Sequence, residues 1–341
     1  MTRPGNVVLA FVAAAVMAVA FAGCSSPTAS GADSGASEQS QVVVKIPDPG
    51  NAGSLAAGKK DGSFEKALAE VGARVQWTGL SGPFAPAALA LNAGELDMSS
   101  GSITSAVMAL GQSPKFRLFA RAEPDGLGEG ILVKDDSGIE SVSDLKGKKV
   151  AVWHGSTSEY LLLKALEKEG LSPDDVERVY LQPAKSAAVF HSGQVDAWAT
   201  WSTFSIPERA TQPVHFLVNG EEVASQNSVI WAVRTEFADQ HPEIVKAVYE
   251  WIHNADLDRQ QNPEKYVNVF RTSGPDAYTA DAKDIAVEES RAGHEIIPID
   301  AKALETFDEV ANFYADRGIT DGVVPVGDYV IDVTKIGTGD E

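Results

Sequence analysis

The sequence predicts an α/β protein assembled from two similar units, and three observations carry that prediction. From Val42 onward, short runs of β-branched and aromatic residues alternate with stretches of helical apolar spacing. Glycines punctuate the joins between them. The chain also nearly repeats itself. "KALAEVG" at Lys66–Gly72 aligns with "KALEKEG" at Lys164–Gly170, an offset of 98, and "GELD" at Gly94–Asp97 aligns with "GQVD" at Gly193–Asp196, an offset of 99. Generic α/β punctuation produces one such match easily, but two in the same order at nearly one offset point to a duplicated architecture.

The first unit opens with the strand-like run "VVVKIPD" and passes through a loop at 48–51 into a helix around "KALAEVG". It returns as the strand "ARVQW", and a loop at 78–82 leads to the helix "AALALNAG". A glycine turn then starts a short strand that runs into a loop at 99–102. The second unit repeats the order with "KVAVW", a loop at 154–157, "KALEKEG", "VERVYL", a loop at 182–185 and "SAAVFHSG". Its short strand is expected at Val195–Ala197, with Trp201 on the loop beyond. "KFRLFARAE" and "GILVKDD" read as strands between the units, and "SVIWAVRTEF" (228–237) as a strand returning after the second. Two such crossings suit a hinge. From His241 the spacing is mostly helical, in "HPEIVKAVYEWIHNA", "NPEKYVNVF", "AKDIAVEESRAG" and "DAKALETFDEVANFYADRG", and these helices are expected to cover the outer faces. Ligands of parallel α/β sheets bind outside the carboxyl ends of the strands. Two such units facing each other would set six loops around one cleft.

Upstream of the folded part, "MTRPGNVVLAFVAAAVMAVAFAGCSS" has a charged start, an apolar run from Val7 to Ala22 and small residues before Cys24. That is the layout of a secretory signal peptide, expected to span residues 1–23. "FAGC" resembles the lipobox of bacterial lipoproteins, in which the cysteine becomes the lipidated first residue. Its Phe21 stands where Leu is commoner. Cys24 is the only cysteine in the chain, so lipidation explains it better than a disulfide does. The stretch that follows, 24–41, is rich in Ser, Gly and Ala and reads as a flexible tether. The remaining division expected is 42–128 for the first lobe, 129–236 for the second, and 237–341 for a helical part returning to the first.

Composition removes several function classes. The 341 residues, 44% of them hydrophobic, suffice for one large or two medium domains with real cores. The net charge of −20 leaves no basic face to neutralise phosphates and argues against a nucleic-acid partner. "GSLAAGKK" (53–60) nearly matches a phosphate-binding loop, but Lys60 stands where a hydroxyl must hold magnesium. "GLGEG" (126–130) lacks the dinucleotide-binding spacing. The six histidines contain no i, i+4 pair and have no cysteine partner for a metal. No serine lies in a GxSxG elbow, and no carboxylate pair stands out as a glycosidase dyad. No cofactor or metal is expected.

Several stretches together resemble a known family. "GKKDGSFEKAL", "LNAGELDMSSGSI", "SVSDLKGKKVAVWHGSTSEYLLLKALEKEGLSPDDVERVYLQPAKSAAVFHSGQVDAWATW" and "EFADQHPEIVKAVYEWI" resemble the nitrate/sulfonate/taurine-binding lipoproteins of ABC transporters, and within them the aliphatic sulfonate members. The resemblance covers most of residues 42–340 and is densest over 141–201. It implies a two-lobed fold of the type II periplasmic-binding-protein kind, each lobe a mixed, mostly parallel sheet flanked by helices, with the ligand cleft between. It also implies a monomeric receptor that reaches the membrane through a lipid anchor at Cys24, binds a small oxyanion, passes it to a permease and carries out no reaction.

Carried over, the site falls on the six loops. "HGSTSEY" matches the family's glycine-hydroxyl loop, so Gly155, Ser156 and Thr157 would offer donors at a helix N-terminus, where anions are favoured. Ser100, Gly101 and Ser102 match the equivalent loop of the first lobe. The same hydroxyls suit helix N-caps equally well. Asp48, Asn51, Ser81 and Gly82 complete the first-lobe set, and His154, Lys185, Trp198, Trp201 and Ser202 that of the second. Lys185 is the only basic residue on the six loops, and Asp48 would repel an anion unless turned away or hydrogen-bonded. His154 either touches ligand or shapes its loop, Trp198 forms a pocket floor or core, and Trp201 offers an apolar wall. Ser202 stands where relatives often carry Asp, the acid suited to a ligand's ammonium, which argues against an amine-bearing ligand. A vitamin precursor or aromatic acid remains open as the solute. So do an extracellular enzyme on the same scaffold, for which His154 is the one candidate group, and a surface interaction protein.

Overall fold

The computed structural model describes residues 41–337; the signal segment, Cys24 and the tether up to residue 40 lie outside the described residues. The first lobe begins with β1 (Val42–Asp48), α1 (Ser54–Asp61), α2 (Ser63–Glu70) and β2 (Ala73–Leu80), and continues through α3 (Phe84–Ala93), β3 (Met98–Ser102), α4 (Ile103–Leu110) and β4 (Phe116–Arg121). The second lobe comprises β5 (Glu129–Lys134), β6 (Lys149–Val152), α5 (Thr157–Lys168), β7 (Glu177–Tyr180), α6 (Pro183–His191), β8 (Ala197–Trp201), α7 (Ser202–Thr211) and β9 (Val214–Asn219). β10 (Val229–Arg234) returns to the first, followed by α8 (Thr235–Gln240), α9 (Pro242–Gln261), α10 (Ala280–Ala292) and α11 (Ala301–Asp316).

The second lobe holds one mixed sheet in the order β7-β6-β8-β5-β9, parallel from β7 to β8 and antiparallel at β5. Val150, Ala151 and Val152 of β6 are all buried, as expected of a parallel strand covered on both faces. In the first lobe β1 and β2 pair in parallel, while β10 runs antiparallel between β3 and β4.

The duplication extends to individual hydrogen bonds. In the first lobe the Asp97 N–H donates to the Lys45 carbonyl at 2.9 Å, and the Asp97 carboxylate accepts the Lys45 N–H at 2.9 Å. In the second, Asp196 and Lys149 exchange the same two bonds at 2.8 Å each. The glycines that begin both turns, Gly94 and Gly193, sit at φ 74° and 73°, where a Cβ is penalised.

Three features depart from the sequence expectation. β3 and β8 are longer than the repeat suggests and run through Ser102 and Trp201, with α4 and α7 starting at the next residue. Both strands pair antiparallel along this length, β3 with β10 and β8 with β5, and these partners lie outside the repeat. The stretch "NPEKYVNVF" forms only a short 3-10 turn at Pro263–Tyr266, after which Asn268 adopts φ 55°. Finally, α9 and α10 do not simply cover an outer face: each turns one stripe of side chains toward a cavity. The two crossings, 122–128 and 220–228, run side by side: the Gly220 N–H donates to the Gly126 carbonyl at 2.9 Å. Gly126 is required there, because at φ 67° a Cβ would lie 2.3 Å from the Glu221 nitrogen.

Candidate ligand cleft

A cavity of about 430 Å³ lies between the lobes beside the crossings. The first lobe contributes the end of β1, the start of α1 (Gly53, Ser54, Leu55), Ser81, Ser99 and Ser100. The second contributes Ser202 and Ile206 of α7, and the crossings add Glu123, Asp125 and Asn227. The wall is completed by the C-terminal helices: Ile252, Asp256 and Arg259 of α9, and Ala286, Glu289 and Ser290 of α10. These positions recur at i, i+4, i+7 and i, i+3, i+4, so one stripe of each helix faces the cavity.

The wall offers both anion-binding and cation-binding groups. α1 begins without any side chain capping it, so the unpaired N–H groups of its first turn and its aligned peptide dipoles favour negative charge. Trp231, Val229, Ile206 and Tyr278 supply apolar surface. Arg259 is the only arginine or lysine in the wall among the described residues, and its guanidinium is taken up by Asp256 (Nε to Oδ1 3.3 Å) and the Ser290 and His294 carbonyls. Against it stand the carboxylates of Glu123, Asp125, Asp256 and Glu289. Burial raises the Asp256 carboxyl above its ordinary value, with Arg259 and a Ser54 hydrogen bond opposing. Burial likewise raises Glu289, opposed by Ser202 and by Arg209, whose Nη1 is 2.7 Å away. Among the described residues no group of His, Cys, Asp and Glu is arranged to hold a metal ion.

The fifteen sequence-predicted positions are dispersed. Ser81, Ser100 and Ser202 line the interlobe cavity. Asp48 and Asn51 line an adjoining cavity of about 580 Å³, which also touches Ser81. Asp48 is ion-paired with Lys59. Burial pushes its carboxyl up, but the Lys59 and Gly50 hydrogen bonds and the Lys59 charge outweigh this and hold it below its usual value. Asn51 is a clasp: its Nδ2 donates to the Arg271 and Asp276 carbonyls at 2.9 Å, and its Oδ1 accepts the Phe270 and Arg271 N–H groups. Its whole amide is therefore used to hold segment 268–276 in place.

The second-lobe helix start needs the largest correction. The anion position at α5 is filled from within: Glu159, fully buried, accepts the Gly155 N–H at 2.7 Å and sits 3.0 Å from His154 Nδ1, and it also accepts from Arg178 and Tyr180. Ser156 caps α5 and donates to the Trp153 carbonyl. His154, Gly155 and Ser156 line a separate cavity of about 170 Å³ against α3 and α4. Thr157 and Ser102 bond to each other at 3.2 Å rather than facing solvent. A Cβ at Gly101 would lie 2.4 Å from the Phe84 ring, so that glycine serves close packing. Trp198 is 2% exposed and packs on Phe190 within the second lobe. Trp201 ends β8 against Phe204 and, like the exposed Gly82 and Lys185, is not in the cavity wall. Asn227, Asp125, Asp256, Arg259 and Glu289 were missed, and only the helical stripes of α9 and α10 hinted at any of them.

Relatives agree with this architecture. The chain is 31% identical over 218 residues to a protein described as a putative aliphatic sulfonates-binding protein of Bacillus subtilis (strain 168), a match covering 63% of this chain and 65% of the relative, just under two thirds of it. It is 31% identical over 225 residues to the taurine-binding periplasmic protein of Escherichia coli (strain K12), covering 63% of this chain and 68% of that one. The crystal structure of the periplasmic aliphatic sulphonate binding protein SsuA from Escherichia coli superposes with a TM-score of 0.74 at 23% identity, over 85% of this chain and 92% of that one, which shows a shared fold. Residues 87–266, just over half of the chain, match the family model described as NMT1/THI5 like, and the chain belongs to that family.

Proposed function

We propose that the protein is the extracytoplasmic solute-binding receptor of an ABC importer, which captures a small organic sulfonate or similar oxyanion between its lobes and delivers it to the permease without transforming it. The observation that carries this reading is the uncapped start of α1 facing an interlobe cavity, because such N–H groups bind an oxyanion without a formal positive charge. The apolar wall suits a carbon skeleton, and the sulfonate- and taurine-binding relatives support the same solute class. The experiment is a thermal-shift screen with alkanesulfonates, taurine, nitrate, vitamin precursors and aromatic acids. A ligand at about 100 times its Kd adds about 2.7 kcal/mol. If only compounds without a sulfonate shift the transition, the sulfonate reading fails; turnover of any of them overturns the receptor reading.

The acidic wall favours a second reading, in which the solute also carries a protonated nitrogen. Ser202 stands where relatives often carry the acid suited to an ammonium, but Glu289 of α10 lies against that serine and supplies the acid that the loop lacks. Taurine should then outcompete ethanesulfonate, and Glu289→Gln should remove the preference; equal binding of both by the wild type removes this reading and leaves the first. Anchoring through a lipid at Cys24, with residues 1–23 cleaved, belongs to the same proposal. Cys24→Ala should abolish metabolic labelling with a palmitate analogue and release the protein from membranes.

A further inference from the structure

A compact set of polar side chains joins the two lobes beside the ligand cavity. Asn227, on the second crossing, lines that cavity. Its Nδ2 donates to Glu129 Oε2 at 2.9 Å and to Thr157 Oγ1 at 3.1 Å, while its Oδ1 accepts from Thr104 Oγ1 at 2.9 Å. Glu129 opens β5 and Thr157 opens α5 in the second lobe, whereas Thr104 lies in the first turn of α4 in the first lobe. Thr157 also donates to Ser102 Oγ at 3.2 Å. Both amide protons and the carbonyl oxygen of Asn227 are thus committed, and Glu129, Thr157 and Thr104 are all buried. Separating the lobes must pull Thr104 away from Thr157 and break this set.

Glu129 is its titratable member. The charged or titratable groups that act on it, or that it acts on, are Asp125 of the first crossing, Tyr160 of α5 and Tyr314 of α11, and none is a cation. An ionised carboxylate is costly in such a place. Burial pushes the Glu129 carboxyl up to about 7, against hydrogen bonding from Ser225 and Asn227. Opening the lobes would return it to water, where it ionises freely, so closure takes up a proton between the ordinary carboxylate range and neutrality.

We propose that Asn227 is a positioning residue that locks the two lobes together around a bound solute, and that the lock holds while Glu129 keeps its proton. For the solute the inference rests on the receptor reading; for the lock it rests on the hydrogen-bond geometry together with the burial of Glu129. The test is small-angle scattering of the full chain, which reads lobe separation, together with calorimetric titration of taurine and ethanesulfonate, both across about pH 5 to 9. The wild type should expand as pH rises through neutrality, and Glu129→Gln should stay compact throughout. Asn227→Ala should be expanded at every pH and bind either probe about tenfold more weakly. Thr104→Val, which keeps Asn227 but removes its first-lobe partner, should expand likewise. A lobe separation that ignores pH in the wild type, or a Glu129→Gln protein as expanded as Asn227→Ala, overturns the lock. If neither probe binds yet the separations follow the expected pattern, the lock stands and the solute reading fails. If Asn227→Ala binds a probe with wild-type affinity and unchanged separation, the lock fails and the receptor reading stands.

Discussion

Asp97 and Asp196 hold matching places in the two copies, yet the same substitution should weigh differently on them. Asp97 is 2% exposed and, besides the Lys45 N–H, accepts from Arg234 Nη2 at 2.8 Å. Removing its carboxylate leaves a largely buried guanidinium facing no charge on that side. Asp97→Ala should therefore cost about 3 kcal/mol, in the range for breaking a buried ion pair. Asp196 is exposed and gives up mainly one hydrogen bond to Lys149, so Asp196→Ala should cost about 1 kcal/mol. Urea denaturation of the two variants measures both losses, and equal values would show that the burial difference does not govern the motif. The repeat of Asp97 and Asp196 was legible in the sequence; their Lys45 and Lys149 partners and Arg234, which sets the difference, were not, and Arg234 reaches Asp97 only through β10.

At the scale of elements, α1 and α9 form the part of the cleft that local pattern conceals. Gly58 lies mid-helix in α1, where alanine would ordinarily gain about 1 kcal/mol of helix propensity. A Cβ there would sit 2.2 Å from the Trp251 ring of α9, and overpacking of this kind costs about 1–3 kcal/mol. Gly58→Ala should therefore destabilise the fold on balance, and it should weaken ligand binding because both helices line the cavity. A thermal melt and a ligand titration on one sample check both effects; a more stable variant with unchanged affinity would mean that Trp251 moves aside freely. In the sequence this glycine stands out only within the near-match to a phosphate-binding loop, and nothing local shows the indole from residue 251 filling its place.

For the molecule as a whole, pH acts through two opposed sets of carboxyls. Glu129 has a folded pKa raised from 4.5 to about 7, so the folded chain binds the extra proton between these values. Its contribution is present below about pH 4.5 and is lost as pH rises towards neutrality, amounting to about 3 kcal/mol. Asp48 and Asp300, held below their usual value, act in the other sense and lose their contribution as pH falls through their folded values. Stability of the wild type should thus decline between about pH 5 and 7 more steeply than that of Glu129→Gln, measured by urea unfolding at each pH. The net charge of −20 adds self-repulsion that salt screens. Added sodium chloride should raise the melting temperature at neutral pH, and a fall would mean that screened ion pairs outweigh the repulsion.

The sequence by itself determined the α/β class, the duplicated order of elements and the glycine turns before Asp97 and Asp196, because each is written in local periodicity or in backbone conformations few residues tolerate; of the six loops it placed, those carrying Ser100 and Trp201 are strand. Tertiary structure alone decided which of those loops meet one cavity. β5 paired with β8 and carried it through Trp201, Trp198 packed on Phe190 in the second lobe, β10 carried β3 through Ser102, and Glu159 occupied the helix start expected to hold an anion. The stripes of α9 and α10, far along the chain, brought Asp256, Arg259 and Glu289 to the ligand space. The meeting of α9 with α1 and the β3–β10 pairing join residues more than 100 positions apart, for which a window of residues read along the chain carries no term, whereas Glu129 and Trp201 are 72 positions apart and Glu159 reaches Gly155 only four residues away.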